Sequence, residues 1–216
     1  MNFEAARQQM LSQQIRTWDV LDERVLDTLR ATHREAFVPE PERDLAFADI
    51  EIPLPHGQCM MTPKVEGRLL QELAIEPTDR VLEIGTGSGY LAACLARLAD
   101  SVVSLEIFGD LCETAGKRLE QDGVENVELW NQDAMQADFD AGFDAIAVTA
   151  SLPVLGERFI NLLNPGGRLF VVVGRAPVMQ ALLVRKHSDG SWTENSLFET
   201  MLTPMINADQ PEPFVL

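Results

Sequence analysis

The chain has 216 residues, of which 46% are hydrophobic and 24% charged, a composition typical of one large packed domain. Its formal net charge of −17 disfavours general binding to nucleic acid, because an acidic surface repels the phosphate backbone. No apolar stretch approaches the length of a membrane span, and residues 1–16 lack a signal-type apolar core, so we expect a cytoplasmic protein without membrane contact.

The first 63 residues combine two helices with an irregular segment. Residues 4–16 and 21–32 alternate apolar and polar positions at helical spacing, and Asp19 or Asp22 is well placed to cap the second helix. Residues 34–63 carry five prolines, which predicts ordered loops and short extended pieces.

From residue 64 onward, helical and extended patterns alternate. The predicted helices lie at 64–75, 89–99, 109–123 and 154–163. The predicted strands lie at 80–84, 101–107, 126–133, 143–151 and 168–174. Two further strand-like runs flank the sequence SDGS (188–191), a hairpin signal. This order predicts a doubly wound α/β fold with a mostly parallel seven-stranded sheet, in which the C-terminal hairpin contributes one antiparallel strand.

Three glycines lie within VLEIGTGSGY (81–90), at the turn from the first of these strands to its helix. Gly85, Gly87 and Gly89 form GxGxG, and glycine at such a turn allows a ligand to approach the backbone closely. A dinucleotide fingerprint needs its third glycine where this chain has Tyr90. A nucleoside triphosphate loop needs Lys-Ser/Thr after the last glycine, and Tyr90-Leu91 does not match.

Three carboxylates follow the same chain order as the strands. Glu83 precedes the glycines, Glu106 ends the next strand where an acid can accept both ribose hydroxyls, and Asp133 ends the third, beside the expected adenine. Glu83 alone could be a loop-capping carboxylate. With no phosphate to bind, it can equally hold an ammonium group, and the whole arrangement fits S-adenosylmethionine.

The segment VLEIGTGSGY resembles motif I of class I S-adenosylmethionine-dependent methyltransferases, and specifically the protein-L-isoaspartate O-methyltransferase family. The resemblance extends over about residues 5–205 and includes four further segments. These are THREAFVPE (32–40), FADIEIPLPHGQCMMTP (47–63), FDAIAVTAS (143–151) and LLNPGGRLFVVVG (162–174). The resemblance implies a Rossmann-like methyltransferase fold, with a helical N-terminal cap and substrate-side loop at 1–63, a cofactor domain at 64–207 and a tail at 208–216.

The resemblance also implies a set of ligand contacts and a reaction. Contacts to the methionyl part fall on Glu83, Gly85, Thr86, Gly87, Ser88 and Gly89; contacts to the ribose fall on Glu106 and Ile107, and contacts to the adenine on Asp133 and Ala134. The implied reaction transfers a methyl group from S-adenosylmethionine to an isoaspartyl carboxylate and leaves S-adenosylhomocysteine. The implied partners are isoaspartyl proteins or peptides. No metal site is expected, and the oligomeric state is not indicated.

The chain departs from the family's pattern on the acceptor side. The family's Gly-Gln-Thr-Ile-Ser-x-Pro corresponds to GQCMMTP, so Met61 stands at the serine position. Thr62 is the candidate catalytic hydroxyl, although adjacent residues of an extended segment point to opposite sides and the loop would have to shift. Of the family's Phe-Val-Pro-Leu tail, only Thr203-Pro204-Met205 is similar, and the last residues are expected to be disordered. Ala134 also replaces a glycine.

These departures leave three interpretations open. The chain is a working isoaspartyl methyltransferase that tolerates Met61, a methyltransferase of the same fold with another acceptor such as a small carboxylate or phenol, or a protein that binds S-adenosylmethionine without transferring its methyl group. Met60 and Met61 could form an adaptable apolar floor for a less polar acceptor.

Overall fold

A seven-stranded sheet with helices on both faces forms the centre of the computed structural model, which describes residues 2–140 and 142–211. The helices are α1 (Phe3–Met10), α2 (Glu23–Ala31), α3 (Arg34–Phe37), α4 (Pro63–Leu73), α5 (Tyr90–Leu98), α6 (Gly109–Gln121) and α7 (Glu157–Leu162). The strands are β1 (Ile52–Pro53), β2 (Cys59–Met60), β3 (Arg80–Ile84), β4 (Ser101–Glu106), β5 (Val127–Asn131), β6 (Phe143–Leu152), β7 (Leu163–Arg175), β8 (Val178–Lys186) and β9 (Trp192–Glu199).

The strand order of the sheet is β5-β4-β3-β6-β7-β8-β9. The pairs from β5 to β7 are parallel, and β8 runs antiparallel to both of its neighbours. The predicted doubly wound, mostly parallel sheet with a C-terminal hairpin is therefore confirmed. Its strand order reverses between β3 and β6, and in such sheets the crevice outside the carboxyl ends at the reversal point is where ligands bind.

Alternate side chains of the central strands pack on opposite faces of the sheet. Val81 and Val102 belong to an apolar cluster with α2, α4 and α5, whereas Leu82 and Val103 pack on the other face with α7. Burial on both faces explains why these strands read as continuous apolar runs in the sequence. Among the helices of the described residues, none is both long and apolar enough to cross a membrane.

The N-terminal third differs in detail from the helical pattern. α1 ends at Met10 and continues as a wider helical turn over Leu11–Ile15 and a tighter one over Arg16–Trp18. Asp22 caps α2 by accepting the Arg24 N–H at 2.8 Å, whereas Asp19 adopts a left-handed conformation ahead of it. The expected disorder of the chain's last residues falls on 212–216, which lie outside the described residues.

The irregular segment that precedes α4 is held in place by the buried side chain of Arg34. Its Nε and Nη2 donate to the carbonyl oxygens of Ala46 and Met61, both at 2.8 Å, and its Nη1 pairs with the Glu66 carboxylate on α4. The guanidinium also lies 4.7 Å from the centre of the Tyr90 ring, at the start of α5. One buried cation thus joins α3, the loop that ends at Met61, α4 and α5.

Replacing Arg34 with leucine should lower the free energy of unfolding by about 3–5 kcal/mol, because it leaves the buried Glu66 carboxylate without a partner. Urea denaturation measures the change. Arg16→Leu is the matched control, since the ion pair of Arg16 with Glu23 is exposed and should contribute less than about 1 kcal/mol. A similar small effect for both variants would show that Glu66 finds another partner.

Candidate active site

A cleft of about 750 Å³, which includes space open to solvent, lies at the carboxyl ends of β3, β4, β5 and β6. Of the residues predicted to contact a ligand, it is lined by Gly85, Gly87, Glu106, Ile107, Asp133 and Ala134. A smaller adjoining cavity of about 320 Å³ shares Gly85 and Gly87 and is lined as well by Glu83, Thr86 and Ser88. Gly89 lies behind this loop, where it precedes the first turn of α5. The structure thus brings the predicted residues to one edge of the sheet.

The glycine loop is shaped by close contacts at Gly85. Its φ is +97°, and a Cβ at this position would lie 2.3 Å from the Thr149 hydroxyl oxygen on β6. That hydroxyl donates to the carbonyl oxygens of Ile84 and Gly85 at 2.9 and 2.8 Å. The loop then crosses toward β4, where the N–H groups of Gly85 and Thr86 donate to the Leu105 carbonyl oxygen. Only glycine fits both the conformation and the space.

Glu83 is fully buried at the end of β3, in a small hydrogen-bonded group. One carboxylate oxygen accepts from the Ser104 hydroxyl, which lies 2.6 Å from the hydroxyl of Thr86. The other oxygen has no partner within the described residues. Burial raises the pKa of Glu83 to about 8; the Ser104 hydrogen bond opposes this rise, and the charges of Glu106 and Glu66 add to it. A ligand ammonium group would provide the missing partner and favour the ionised carboxylate.

The carboxylate of Glu106 is fixed at the end of β4 by two backbone donors. Its Oε2 accepts the Gly87 N–H at 2.8 Å, and its Oε1 accepts the Phe108 N–H at 3.0 Å. The carboxylate therefore connects the glycine loop to the loop after β4. It lines the large cleft, with the partly exposed Ile107 beside it.

The residues predicted to border an adenine lie beyond β5. Asp133 accepts the Met135 N–H at 2.9 Å and the Asn207 side-chain amide at 2.8 Å. Ala134 lies outside the positive-φ region, so the alanine causes no backbone strain where the family pattern has glycine. Its carbonyl oxygen accepts from Arg158 Nε at 2.8 Å. Among the residues that the structure describes, no lysine or arginine lines either cavity, which disfavours phosphate as part of the ligand.

On the acceptor side, the structure brings Met61 to the cleft and not Thr62. Met61 lines both cavities, held by the bond between its carbonyl oxygen and Arg34. Thr62 precedes α4 and lines neither cavity, and its buried hydroxyl has no hydrogen-bond partner in the part of the chain that the structure describes. The alternation of side chains along an extended segment explains the difference. The geometry therefore gives no support to Thr62 as the catalytic hydroxyl.

His56 attaches the substrate-side loop to the start of α6. Its ring stacks on Phe108 with centroids 4.1 Å apart, and its Nε2 lies 2.8 Å from Asp110 Oδ1 at the start of α6. The hydrogen bond with His56 lowers the pKa of Asp110. Because His56 is engaged in this way, its role is structural.

The described C-terminal segment closes the outer end of the cleft. The lining residues there are Leu202, Thr203, Pro204, Met205 and Ile206. They dock on β6 through Ser151, which donates its N–H to the Thr203 carbonyl oxygen at 2.9 Å and accepts the Met205 N–H at 2.8 Å. Sequence reasoning identified this segment by resemblance but not its contacts, because they join positions about fifty residues apart.

Comparison with known proteins gives matches over nearly the whole chain. The family model described as protein-L-isoaspartate(D-aspartate) O-methyltransferase matches residues 5–210. A Pelobacter propionicus protein named protein-L-isoaspartate O-methyltransferase 2 is 36% identical, and the alignment covers 96% of this chain and 93% of that protein. Protein-L-isoaspartate O-methyltransferase 1 of Rhodopseudomonas palustris is 37% identical, with coverage of 98% and 89%.

A solved structure has the same fold. The Plasmodium falciparum chain described as a protein-L-isoaspartate O-methyltransferase, in complex with S-adenosyl-L-homocysteine, superposes with a TM-score of 0.81. The superposition covers 95% of this chain and 98% of the Plasmodium falciparum chain, at 20% sequence identity. At that identity the likeness concerns the fold.

Replacing Gly85 with alanine should reduce the affinity for S-adenosylhomocysteine at least tenfold, because the added Cβ displaces Thr149 and strains a backbone at φ +97°. Isothermal calorimetry measures the affinity. Gly190→Ala is the control: it has a φ of +85° but no atom within 4 Å of the added Cβ, and it lies in the β8–β9 turn. Equal affinities of Gly85→Ala and the unchanged protein would place the ligand elsewhere.

The buried Glu83 should make the ligand-free protein less stable as the pH rises. Its pKa is about 8 in the folded chain and near 4.5 when unfolded, so between these values the unfolded chain binds fewer protons. Stability then falls by up to about 1.4 kcal/mol per pH unit. Urea denaturation at pH 5.5 and 7.5 measures the free energy of unfolding. The loss of stability between these pH values should be about 2–3 kcal/mol smaller in Glu83→Gln than in the unchanged protein.

Glu120→Gln, on an exposed position of α6, is the matched control for the loss of one carboxyl group. If the unchanged protein and Glu83→Gln had the same pH dependence, Glu83 would be ionised in the folded, ligand-free chain.

Proposed function

Because the chain belongs to the protein-L-isoaspartate(D-aspartate) O-methyltransferase family, we propose that it transfers the methyl group of S-adenosylmethionine to the carboxylate of isoaspartyl residues in damaged proteins. The match over residues 5–210 is the observation that carries this proposal. Two named relatives at 36% and 37% identity, which align with nearly the full chain, support it. The family's acceptor is accordingly a protein or peptide.

The residues at the edge of the sheet suit the cofactor. When bound, S-adenosylmethionine supplies a methyl group attached to a positively charged sulfur. Glu83, with its unpartnered oxygen, would receive the ammonium group, and the loop from Gly85 to Ser88 would enclose the methionyl chain. Glu106 would accept the ribose hydroxyls beside Ile107, and the turn at Asp133 and Ala134 would border the adenine. S-adenosylhomocysteine leaves as the product.

The chain's part in the reaction is alignment and exclusion of water. An isoaspartyl carboxylate is already ionised at pH 7, so its attack on the methyl group requires no general base. No histidine lines the cleft within the described residues. Met61, Leu202 and Met205 form apolar walls that limit hydration of the incoming carboxylate, while the bound cofactor and the loop fix the direction of attack.

The apolar acceptor end also favours a second candidate function. With Met61 in place of a hydroxyl residue, and Leu202, Met205 and Ile206 opposite, the cleft suits a flatter carboxylic acid or a phenol. The cofactor end would be used in the same way. The compartment proposed is the cytoplasm in either case, and the three cysteines are free thiols, as a reducing compartment requires.

Incubation with labelled S-adenosylmethionine should methylate an isoaspartyl peptide and leave its aspartyl twin unlabelled, with the label released by base. Gly87→Val is the inactive control, because the position has a φ of +53°, which strains any other residue, and an added Cβ would lie 3.3 Å from Leu54. Transfer to small carboxylic acids or phenols alone would favour the second function. Tight binding of S-adenosylhomocysteine without transfer to any acceptor would contradict both.

A further inference from the structure

We propose that Thr203 supplies the hydroxyl group that holds the acceptor carboxylate at the open end of the cleft. The inference rests on the proposed function, since it concerns how an isoaspartyl carboxylate is oriented toward the cofactor. It assigns to the C-terminal segment a role that the loop residues Met61 and Thr62 do not fill: a thioether cannot donate a hydrogen bond, and the Thr62 side chain does not line the cleft.

An anionic acceptor needs neutral donors in this cleft. The chain carries a net charge of −17, and the cleft lining contains neither lysine nor arginine among the described residues. The electrostatic potential of the protein therefore does not attract a carboxylate to the cleft. A hydrogen bond from a hydroxyl or amide to the charged carboxylate is then the interaction that binds and orients it.

The hydroxyl groups that line the large cleft belong to Thr149 and Thr203. The Thr149 hydroxyl is engaged with the carbonyl oxygens of the glycine loop, at 2.8 and 2.9 Å. Of the two side-chain amides that line the cleft, that of Gln58 donates to the His56 carbonyl oxygen at 3.2 Å, and that of Gln132 belongs to the residue next to Asp133, at the end predicted to border the adenine. Thr203 Oγ1, by contrast, lies 3.5 Å from Cys59 Sγ, which is a weak partner, so a carboxylate that enters the cleft is the better acceptor.

The backbone of Thr203 is fixed before any acceptor binds. β6 departs from regular pairing between Ala147 and Ser151, and bulges of this kind re-aim side chains next to functional sites. The backbone of Ser151 then bonds to the Thr203 carbonyl oxygen and to the Met205 N–H, and its hydroxyl donates to the Leu202 carbonyl oxygen at 3.0 Å. A donor held in this way loses little freedom when it binds a carboxylate.

Cys59 completes this end of the cleft without adding charge. Its thiol lines both cavities, and burial raises the pKa of Cys59, so the thiol is neutral at pH 7. A neutral sulfur beside Thr203 does not repel the acceptor. Glu51, whose charge contributes to the same rise in pKa, does not line the cleft.

The test compares Thr203→Val, which keeps the shape and removes the hydroxyl, with Thr203→Ser, which keeps the hydroxyl. Initial rates with an isoaspartyl peptide should show a KM at least tenfold higher for Thr203→Val and within about threefold of the unchanged protein for Thr203→Ser. Fluorescence anisotropy of the labelled peptide, with S-adenosylhomocysteine present, should show the same order of affinities. Calorimetry should find the S-adenosylhomocysteine affinity unchanged in both variants, which also verifies their folding.

Equal KM values for Thr203→Val and the unchanged protein would overturn the inference while leaving the proposed function intact. Equal losses in Thr203→Val and Thr203→Ser would also overturn it, because the serine retains the donor. If the unchanged protein failed to methylate the isoaspartyl peptide while binding S-adenosylhomocysteine, the proposed function would fail, and the role of Thr203 toward that acceptor with it.

Discussion

The buried guanidinium of Arg34 meets acceptors from three separate parts of the chain, and the position of the substrate-side loop depends on it. Taking a cation and the Glu66 carboxylate out of water is costly, and a buried pair persists when further hydrogen bonds satisfy the remaining donors. The carbonyl oxygens of Ala46 and Met61 provide them. Because Met61 is one wall of the cleft, the shape of the acceptor end is set by a contact within the core.

Arg34 and His56 connect the substrate-side loop to the two helices that border the cleft. The Tyr90 ring, in contact with Arg34, begins α5, the helix that directly follows the glycine loop. On the other side, His56 and Phe108 attach the loop to the start of α6. The substrate-side loop is thereby attached at both ends of the cofactor edge.

The central fold could be predicted from the sequence because its signals are local. β3 and β4 are apolar runs buried on both faces. Gly85, Gly87 and Gly89 mark the turn that leads from β3 into α5. Glu83 and Glu106 end parallel strands, and parallel neighbours place their carboxyl ends together. The boundaries of β3 to β6 agree with the patterns to within about two residues, whereas β7 begins at Leu163, five residues before the predicted start at 168.

The acceptor side could not be predicted because its contacts join distant positions. The approach of Cys59 to Thr203 joins residues 144 positions apart, and no periodicity encodes it. The Arg34–Glu66 pair did leave a signal, since Glu66 interrupts the otherwise apolar buried face of α4. A carboxylate in that position requires a buried cation, but the sequence does not say which one. Likewise, the local pattern of residues 4–16 could not show that α1 widens after Met10.

The docking of residues 202–206 on Ser151 has a consequence for how the protein matures. The cofactor edge is formed by β3 to β6, whereas the mouth of the cleft is formed by residues 202–206, which follow all seven strands of the sheet in the chain. During synthesis the chain emerges from its N-terminal end, so the residues that form the mouth of the cleft are the last part of the site to be made.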